Sequence, residues 1–519
     1  MCFEIRNRDL LGRIGRLETK SGIVETPCLL PVVNPAIQTV SPKNMHERFN
    51  CNALMTNAYI LKRRFHDETI RRGVHRLLGF DGVVVTDSGA YQNLVYGDVE
   101  INPEEIVLYQ EEINSDVGTM LDVPTGWKVS KEHVQRTVDE TLRRAKQFTN
   151  IKTRDDIIWI GPVQGGKYFD LVAECARKMG KLPFQVHALG SPTPVMEQYM
   201  FDVLVDMVMT AKMNLPLQRP LHLFGAGHPF MFALAVALGC DSFDSAAYAI
   251  YARKDGYMTE YGTAKLNELT YFPCSCPMCV KNDPKDVAEM PKNERQKLLA
   301  EHNLYVSFAE VKRIKQAIIE GRLWEQLEVR AHSHPALFRA LKMLKKYESY
   351  LEKQSPVKKR SGVFFFSSVG LHRPEVVHYR KRLSERYFPP EKAGILVLLP
   401  QVETKPFHKS KKHKKFLNFL QQKLEGDVQK VHVCTYAAPF GVIPIELDEV
   451  FPLSQHEIAT PLDTKTIEYV AKEVAGYIKA TNYEKIILVQ DSDVWKGKIA
   501  ATVKHTCEKK GLCYIVING

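Results

Sequence analysis

Four residues near the middle of the chain have the types and spacing of a metal site. The run CSCPMC places Cys274, Cys276 and Cys279 together, and His302 follows after 22 intervening residues. Three thiolates and one imidazole make a closed tetrahedral set that suits structural Zn²⁺. With every position taken by protein, such an ion holds structure and does no chemistry. The competing reading is free thiols in a surface loop, with His302 merely on a helix. The C-x-C-x-x-C spacing favours the metal.

A second group of residues suits acid–base and nucleophilic chemistry. In FDGVVVTDSGAYQ (80–92) five apolar or small residues run into Asp87, followed by Ser88, Gly89, Ala90 and Tyr91. Asp244 lies in GCDSFDSAAYA, where Ser245, Ala246 and Ala247 leave room for a bulky substrate. Cleaving a glycosidic bond through a covalent intermediate needs one carboxylate as nucleophile and another group as acid, then base. Taken singly, either aspartate is explained as well by a helix or strand-end cap. GPVQGG (161–166) sets polar Gln164 before Gly165 and Gly166, which permits a flat ligand to approach the backbone. A phosphate loop looks similar, but the Lys-Ser/Thr of a Walker motif is missing. Asp122, in MLDVPTG, could accept two N–H bonds from a guanine edge, or cap a strand.

These residues need a scaffold that brings them together. From residue 28 to about 245, apolar runs alternate with amphipathic stretches. The runs are CLLPVV (28–33), ALMTN (53–57), GVVVTD (82–87), VGTMLD (117–122), IIWIGPVQ (157–164), FQVHAL (184–189), LHLFGAG (221–227) and DSFDS (241–245). Between them lie helical patterns such as VSKEHVQRTVDETLRRAKQF (129–148). About eight such repeats predict an α/β fold, a (β/α)8 TIM-type barrel, with a doubly wound open sheet as the alternative. No GxGxxG follows the first strand, which speaks against the open sheet. Asp87, Asp122, Gln164 and Asp244 then fall at strand C-terminal ends, where a barrel carries its active site.

After residue 300 the pattern turns helical and breaks at SPVKKRSG (355–362), a candidate linker. A smaller α/β region follows, with strand-like VFFFSSV (363–369), GILVLLP (394–400), VHVCTY (431–436), KIILVQD (485–491) and CYIVI (513–517). The expected division is a catalytic barrel over 1–350 with a zinc-binding insert at about 270–305, a linker over 351–362 and a C-terminal domain over 363–519.

The 519 residues exceed one ordinary domain, and 45% apolar with 25% charged residues are ordinary for a globular protein. A net charge of +11 favours a polyanionic partner, though a mild lysine excess also serves solubility. The longest apolar run, in PFMFALAVALGC (229–240), is too short to span a bilayer, and MCFEIRNRDL lacks the apolar core of a signal peptide. A cytoplasmic location without membrane contact is expected. Of the eleven cysteines, the eight outside the cluster are read as buried thiols rather than disulfides.

Taken together and in chain order, DSGAYQ, LDVPTG, GPVQGG, HALGS, FDSAAYA and CSCPMC…His302 closely resemble the tRNA-guanine transglycosylase family, over roughly residues 1 to 350. The resemblance implies Asp244 as nucleophile and Asp87 as general acid/base. It makes Tyr91 the aromatic that stacks on the base. Asp122 and Gln164, with backbone around Gly190 and Ser191, match the pocket that reads guanine and its 7-deaza replacement, to which Ser88 and Gly165 are added. Cys274, Cys276, Cys279 and His302 match the zinc ligands.

LDVPTG, LHLFGAGHP, AAPFGVIPIELDEVFPLSQHE (437–457) and the long tail resemble the archaeal branch. That branch implies exchange of guanine 15 in the tRNA D-arm for 7-cyano-7-deazaguanine, towards archaeosine. Archaeal members often end in a PUA domain, and no such module is seen before the chain stops at CYIVING. RNA docking would then use the tail, the zinc-side helices or a separately encoded PUA-domain protein. The run TKPFHKSKKHKKF (404–416), with six lysines and two histidines, could track phosphates or form a solvated loop. The resemblance also implies a homodimer. Rival readings are a catalytically dead RNA-binding homologue, an archaeosine synthase relative and a queuine-type enzyme acting on the anticodon. Both aspartates oppose the first, the intact barrel and zinc set the second, and the archaeal-type tail the third.

Overall fold

The computed structural model describes residues 3–90, 102–423 and 427–518, and the chain divides into two compact units, 1–344 and 345–519. The first opens with an antiparallel meander of β1 (Phe3–Asp9), β2 (Gly12–Thr19) and β3 (Gly22–Glu25). Sequence reading did not foresee it, because Arg and Glu interrupt its apolar residues.

The eight apolar runs then become eight parallel strands: β4 (Cys28–Pro31), β5 (Ala53–Asn57), β6 (Val83–Asp87), β7 (Val117–Thr119), β8 (Ile158–Val163), β9 (Val186–Leu189), β10 (Leu221–Leu223) and β11 (Ser242–Ser245). From β5 to β11 each strand pairs with the next, and β11 pairs with β4. Val32 bridges Met55, and the Val33 N–H donates to the Met55 carbonyl at 2.8 Å, which brings the circle round to β5. This is the expected (β/α)8 barrel rather than an open sheet.

Strand β6 illustrates why most of the runs are apolar on both faces. Val83 and Val85 join the interior cluster with Met55, Ile160 and Ala188, while Val84 packs outward with Leu54, Phe80 and Ile106. A barrel strand is buried on both faces, so both sets are hydrophobic. The helices cover the outer face. Lys131–Ile151 buries Val134, Val138, Leu142, Ala145 and Phe148 at three- and four-residue spacing, and Ser130 caps its N-terminus. Phe3, Leu17 and Val24 of the meander share a cluster with Ala53, Val83, Val117 and Ile158, residues at strand starts. The meander therefore closes the N-terminal end and leaves the C-terminal end as the mouth.

Beyond β11 a short hairpin, β12 (Gly256–Met258) with β13 (Thr263–Lys265), leads to the cysteine run and then to the 29-residue helix Lys292–Glu320, which carries His302.

In the second unit β14 (Val363–Phe365) will pair with a later strand. β15 (Ile395–Pro400), β16 (Val431–Ala437) and β17 (Gly441–Pro444) follow, then β18 (His456–Ile458), β19 (Lys485–Gln490) and β20 (Cys513–Asn518). Five form a sheet in the order β17-β16-β15-β19-β20, parallel except for β17, and β14 pairs with β18. Within the run 355–362, Lys359 is buried against Glu375, with Nζ and Oε1 2.5 Å apart. Cys513, expected among the buried thiols, is exposed, because it starts an edge strand. No helix among the described residues is long and apolar enough to cross a membrane.

Candidate active site and metal centre

The mouth gathers side chains from seven of the eight barrel strands or the residues just after them. Asp87 is the last residue of β6, and its Oδ2 accepts a 2.7 Å hydrogen bond from Nδ2 of Asn57, the last residue of neighbouring β5. Burial, then the nearby Asp244 and Asp122 carboxylates, push Asp87 up to about 7, against the pull of the Gly89 N–H and Asn57. A carboxyl so placed exchanges a proton near neutral pH. Gly89 takes φ +94°, and a Cβ there would lie 2.5 Å from Cβ of Tyr59, so the turn after Asp87 needs glycine. Ser88 is buried, and its hydroxyl has no partner among the described residues.

Asp244 sits within β11. Its Oδ1 lies 3.1 Å from Nε2 of His222 and accepts a 2.8 Å bond from the Gly225 N–H. His222 is fully buried in β10, and its Nδ1 lies 2.9 Å from the Ser242 hydroxyl. If that hydroxyl donates to Nδ1, the proton stays on Nε2 and faces Asp244.

Asp122 and Gln164 meet beside them. Gln164, buried just past β8, donates from Nε2 to Oδ2 of Asp122. Its Oε1 accepts from the Ser191 hydroxyl at 3.1 Å and from the Thr125 N–H at 3.3 Å. Burial pushes Asp122 up to about 6, against the Gln164 bond. Ser191, at φ +56°, also accepts from the Thr125 N–H at 2.9 Å. A Cβ on Gly190 would fall 2.2 Å from Gln164 Nε2, and one on Gly165 2.5 Å from the Val172 nitrogen. These two glycines thus make room for Gln164 and for the following helix.

Asp87, Asp122, Asp244, Gln164, Ser88, Gly165, Gly190 and Ser191 all lie on segments that end barrel strands or directly follow them. Tyr91 lies outside the described residues. Asn57 and His222 were missed. Asn57 carried a signal, since ALMTN ends on a polar residue just as GVVVTD does. His222 looked like one polar residue inside a short strand.

At the second centre, the donor atoms of Cys274, Cys276, Cys279 and His302 all lie within 4.8 Å of one another. Cys276 Sγ is 3.5 Å from Cys279 Sγ, and His302 Nδ1 is 3.5 Å and 3.3 Å from them. Tetrahedral ligands at metal–sulfur bonds of about 2.3 Å would sit about 3.8 Å apart, so the set fits a metal ion. His302 Nε2 lies 2.9 Å from the Met258 carbonyl and donates to it, which turns the Nδ1 lone pair towards the thiols. Tyr257 stacks on the imidazole at 3.8 Å.

Carboxylates raised to about 7 and about 6 at a barrel mouth, with a separate Cys/His set that could hold a metal ion, have the arrangement of an enzyme site that handles a proton. Comparison with known proteins narrows this. A family model described as queuine tRNA-ribosyltransferase matches residues 9–336, and a domain of unknown function (DUF5591) matches residues 376–515. The chain belongs to this tRNA-ribosyltransferase family, the tRNA-guanine transglycosylases. A relative from Methanocaldococcus jannaschii is 44% identical over 89% of this chain and 69% of its own length. One from Saccharolobus solfataricus is 41% identical over 94% of this chain and 96% of its own length. One from Aeropyrum pernix is 50% identical over 68% and 69%. Each is named tRNA-guanine(15) transglycosylase.

Proposed function

We propose that the chain exchanges guanine 15 of tRNA for 7-cyano-7-deazaguanine by double displacement with retention. The observation that carries the reading is the similarity over nearly the full length of a tRNA-guanine(15) transglycosylase, in a chain that keeps both Asp87 and Asp244. Asp244 attacks C1′ of the ribose, a C1′–O bond forms and the C1′–N bond to guanine breaks. Asp87 gives the departing base its proton. The incoming base then loses a proton to Asp87 and displaces Asp244, so two inversions restore the configuration. A carboxyl near 7 suits both halves of that exchange.

Asp122 and Gln164 read the base edge, with Ser88, Gly165, Gly190 and Ser191 around it and Tyr91 as stacking platform. The target base leaves its stack to reach the mouth. Cys274, Cys276, Cys279 and His302 hold one structural Zn²⁺. In this reading residues 1–350 are the catalytic domain and 363–519 an archaeal-type C-terminal domain. A homodimer is part of this reading, and the C-terminal domain and the helices around the metal set are the surfaces it assigns to tRNA docking.

The test is release of label from a tRNA transcript carrying radiolabelled guanine at position 15, with 7-cyano-7-deazaguanine added. Wild type releases label and Asp244→Asn does not. Release from an anticodon guanine instead would reject position 15.

A further inference from the structure

The second unit contains a cavity of about 230 Å³ that the reaction above does not use. It lies between the end of helix Glu348–Gln354, one face of helix Pro374–Glu385, and the segment 447–453. Its walls include Val357, Leu383, Val450 and Phe451, with Tyr387 adding a second ring. Oγ of Ser355 and Nε2 of His378 in this lining are buried with no hydrogen-bond partner among the described residues. Ser355 is only 9% exposed. The other nitrogen of His378 is committed, since Nδ1 lies 2.8 Å from Glu352 Oε1. The Glu352 carboxylate holds a proton on Nδ1, and Nε2 is left facing the cavity.

His378 and Arg382 stand four residues apart on one face of the helix, and Arg386 follows directly after its last residue as the C-cap. Both arginines line the cavity and are exposed. Neither makes an ion pair among the described residues. An apolar slot with ring faces, two unmet hydrogen-bonding atoms and two guanidiniums at the rim has the chemistry of a nucleotide site. The volume is below that of typical drug-sized sites and holds one heterocycle.

We infer that this cavity binds one unstacked nucleotide, with the base inside against Ser355 and His378 and the phosphate on Arg382 and Arg386. The inference rests on the tRNA reading for its preferred source, an unpaired base of the substrate. A free mononucleotide shares the chemistry. Oγ of Ser355 and Nε2 of His378 bond the edge of the base.

The test uses the full chain and compares wild type, Val450→Trp, which fills the cavity from an exposed position, and the double variant Arg382→Ala/Arg386→Ala. Thermal melts verify that each is folded; should Val450→Trp fail to fold, the exposed arginine pair carries the test. Binding of unmodified tRNA transcript and of AMP is measured at fixed salt. About tenfold weaker tRNA binding by the variants, with 7-deazaguanine exchange at saturating tRNA retained, assigns the cavity to an RNA base. AMP binding by wild type that the variants lose, at unchanged tRNA affinity, assigns it to a free nucleotide. Unchanged tRNA affinity with no AMP binding overturns the inference. Failure of wild type itself to bind tRNA would instead count against the function proposed above.

Discussion

The barrel mouth and the cysteine–histidine cluster both gather polar side chains at the edge of an apolar core, and they settle their charge in opposite ways. In the cluster each group has a complement. Three thiols surround one small volume, the His302 lone pair points in, and the far imidazole nitrogen is fixed by Met258. One cation would neutralise the set and close it. At the mouth, like charges face one another. Asp87 has an amide rather than a cation as its side-chain partner, and burial, then two other carboxylates, push its proton affinity up. With a cation bound the first arrangement would stabilise the fold; the second lowers stability and keeps a proton mobile.

Breaking each centre should therefore have a different signature. The largest effect falls at the mouth. Asp244→Asn removes the proposed nucleophile at constant size, and base exchange should drop at least about 10⁴-fold while melting temperature and metal content stay near wild type. Label release with a denaturing gel for a tRNA adduct checks this. Exchange within tenfold of wild type would reject Asp244 as nucleophile.

At the cluster the order reverses. Cys279→Ser should lose the metal and several kcal/mol of stability, read by elemental analysis and denaturant melts. Activity should fall only as the folded fraction falls. A folded, metal-free enzyme with no activity would mean that the ion takes part in chemistry.

A third experiment makes the cost of crowded carboxylates visible. The folded-state value of Asp87, about 7, lies above the value near 3.9 of an unfolded chain. Between these limits the folded state binds more protons, so stability falls as pH rises from about 4 to about 7 and then levels off. Asp87→Asn removes that loss. Relative to wild type the variant should gain on the order of a few kcal/mol between pH 5 and pH 8, measured by urea unfolding. A gap that does not widen with pH would place Asp87 in a more solvated state.

Legibility in the sequence followed the same division. The cluster was readable because three cysteines at short spacing with a later histidine have few other uses, and the barrel because doubly buried strands leave a series of short, mostly apolar runs. The mouth was harder. Asp87 and Asp244 look like caps until the closed sheet brings β6 and β11 to one end, and only the resemblance of the motifs gave them roles. His222 left no pattern, because its importance is a distance across two neighbouring strands. Strands β17 and β18 were missed because they are four and three residues long and sit among prolines. Such segments are strands through their partners, not through their own pattern.

The smallest predicted effect is the sharpest probe of the mouth. Asn57 does two things at once. Its Nδ2 donates to Asp87, and its Oδ1 accepts from the Ile60 N–H to cap helix Ala58–Arg72. Asn57→Ala removes both, which should cost about 1 kcal/mol of stability for the cap. It should also raise Asp87 further, because the lost bond favoured the carboxylate. Asn57→Ser restores a capping oxygen but no amide donor, so it separates the two roles. If the free enzyme must hold Asp87 protonated to release guanine, kcat/KM for tRNA falls as pH rises through about 7. In both variants that falling limb should move to higher pH, by roughly one unit or less, while Ser recovers stability that Ala loses. A limb that stays in place would mean that the group titrating in the pH–rate profile is not Asp87. The proton would then have to be carried by another group at the mouth, and Asp122, raised to about 6, would be the next to replace.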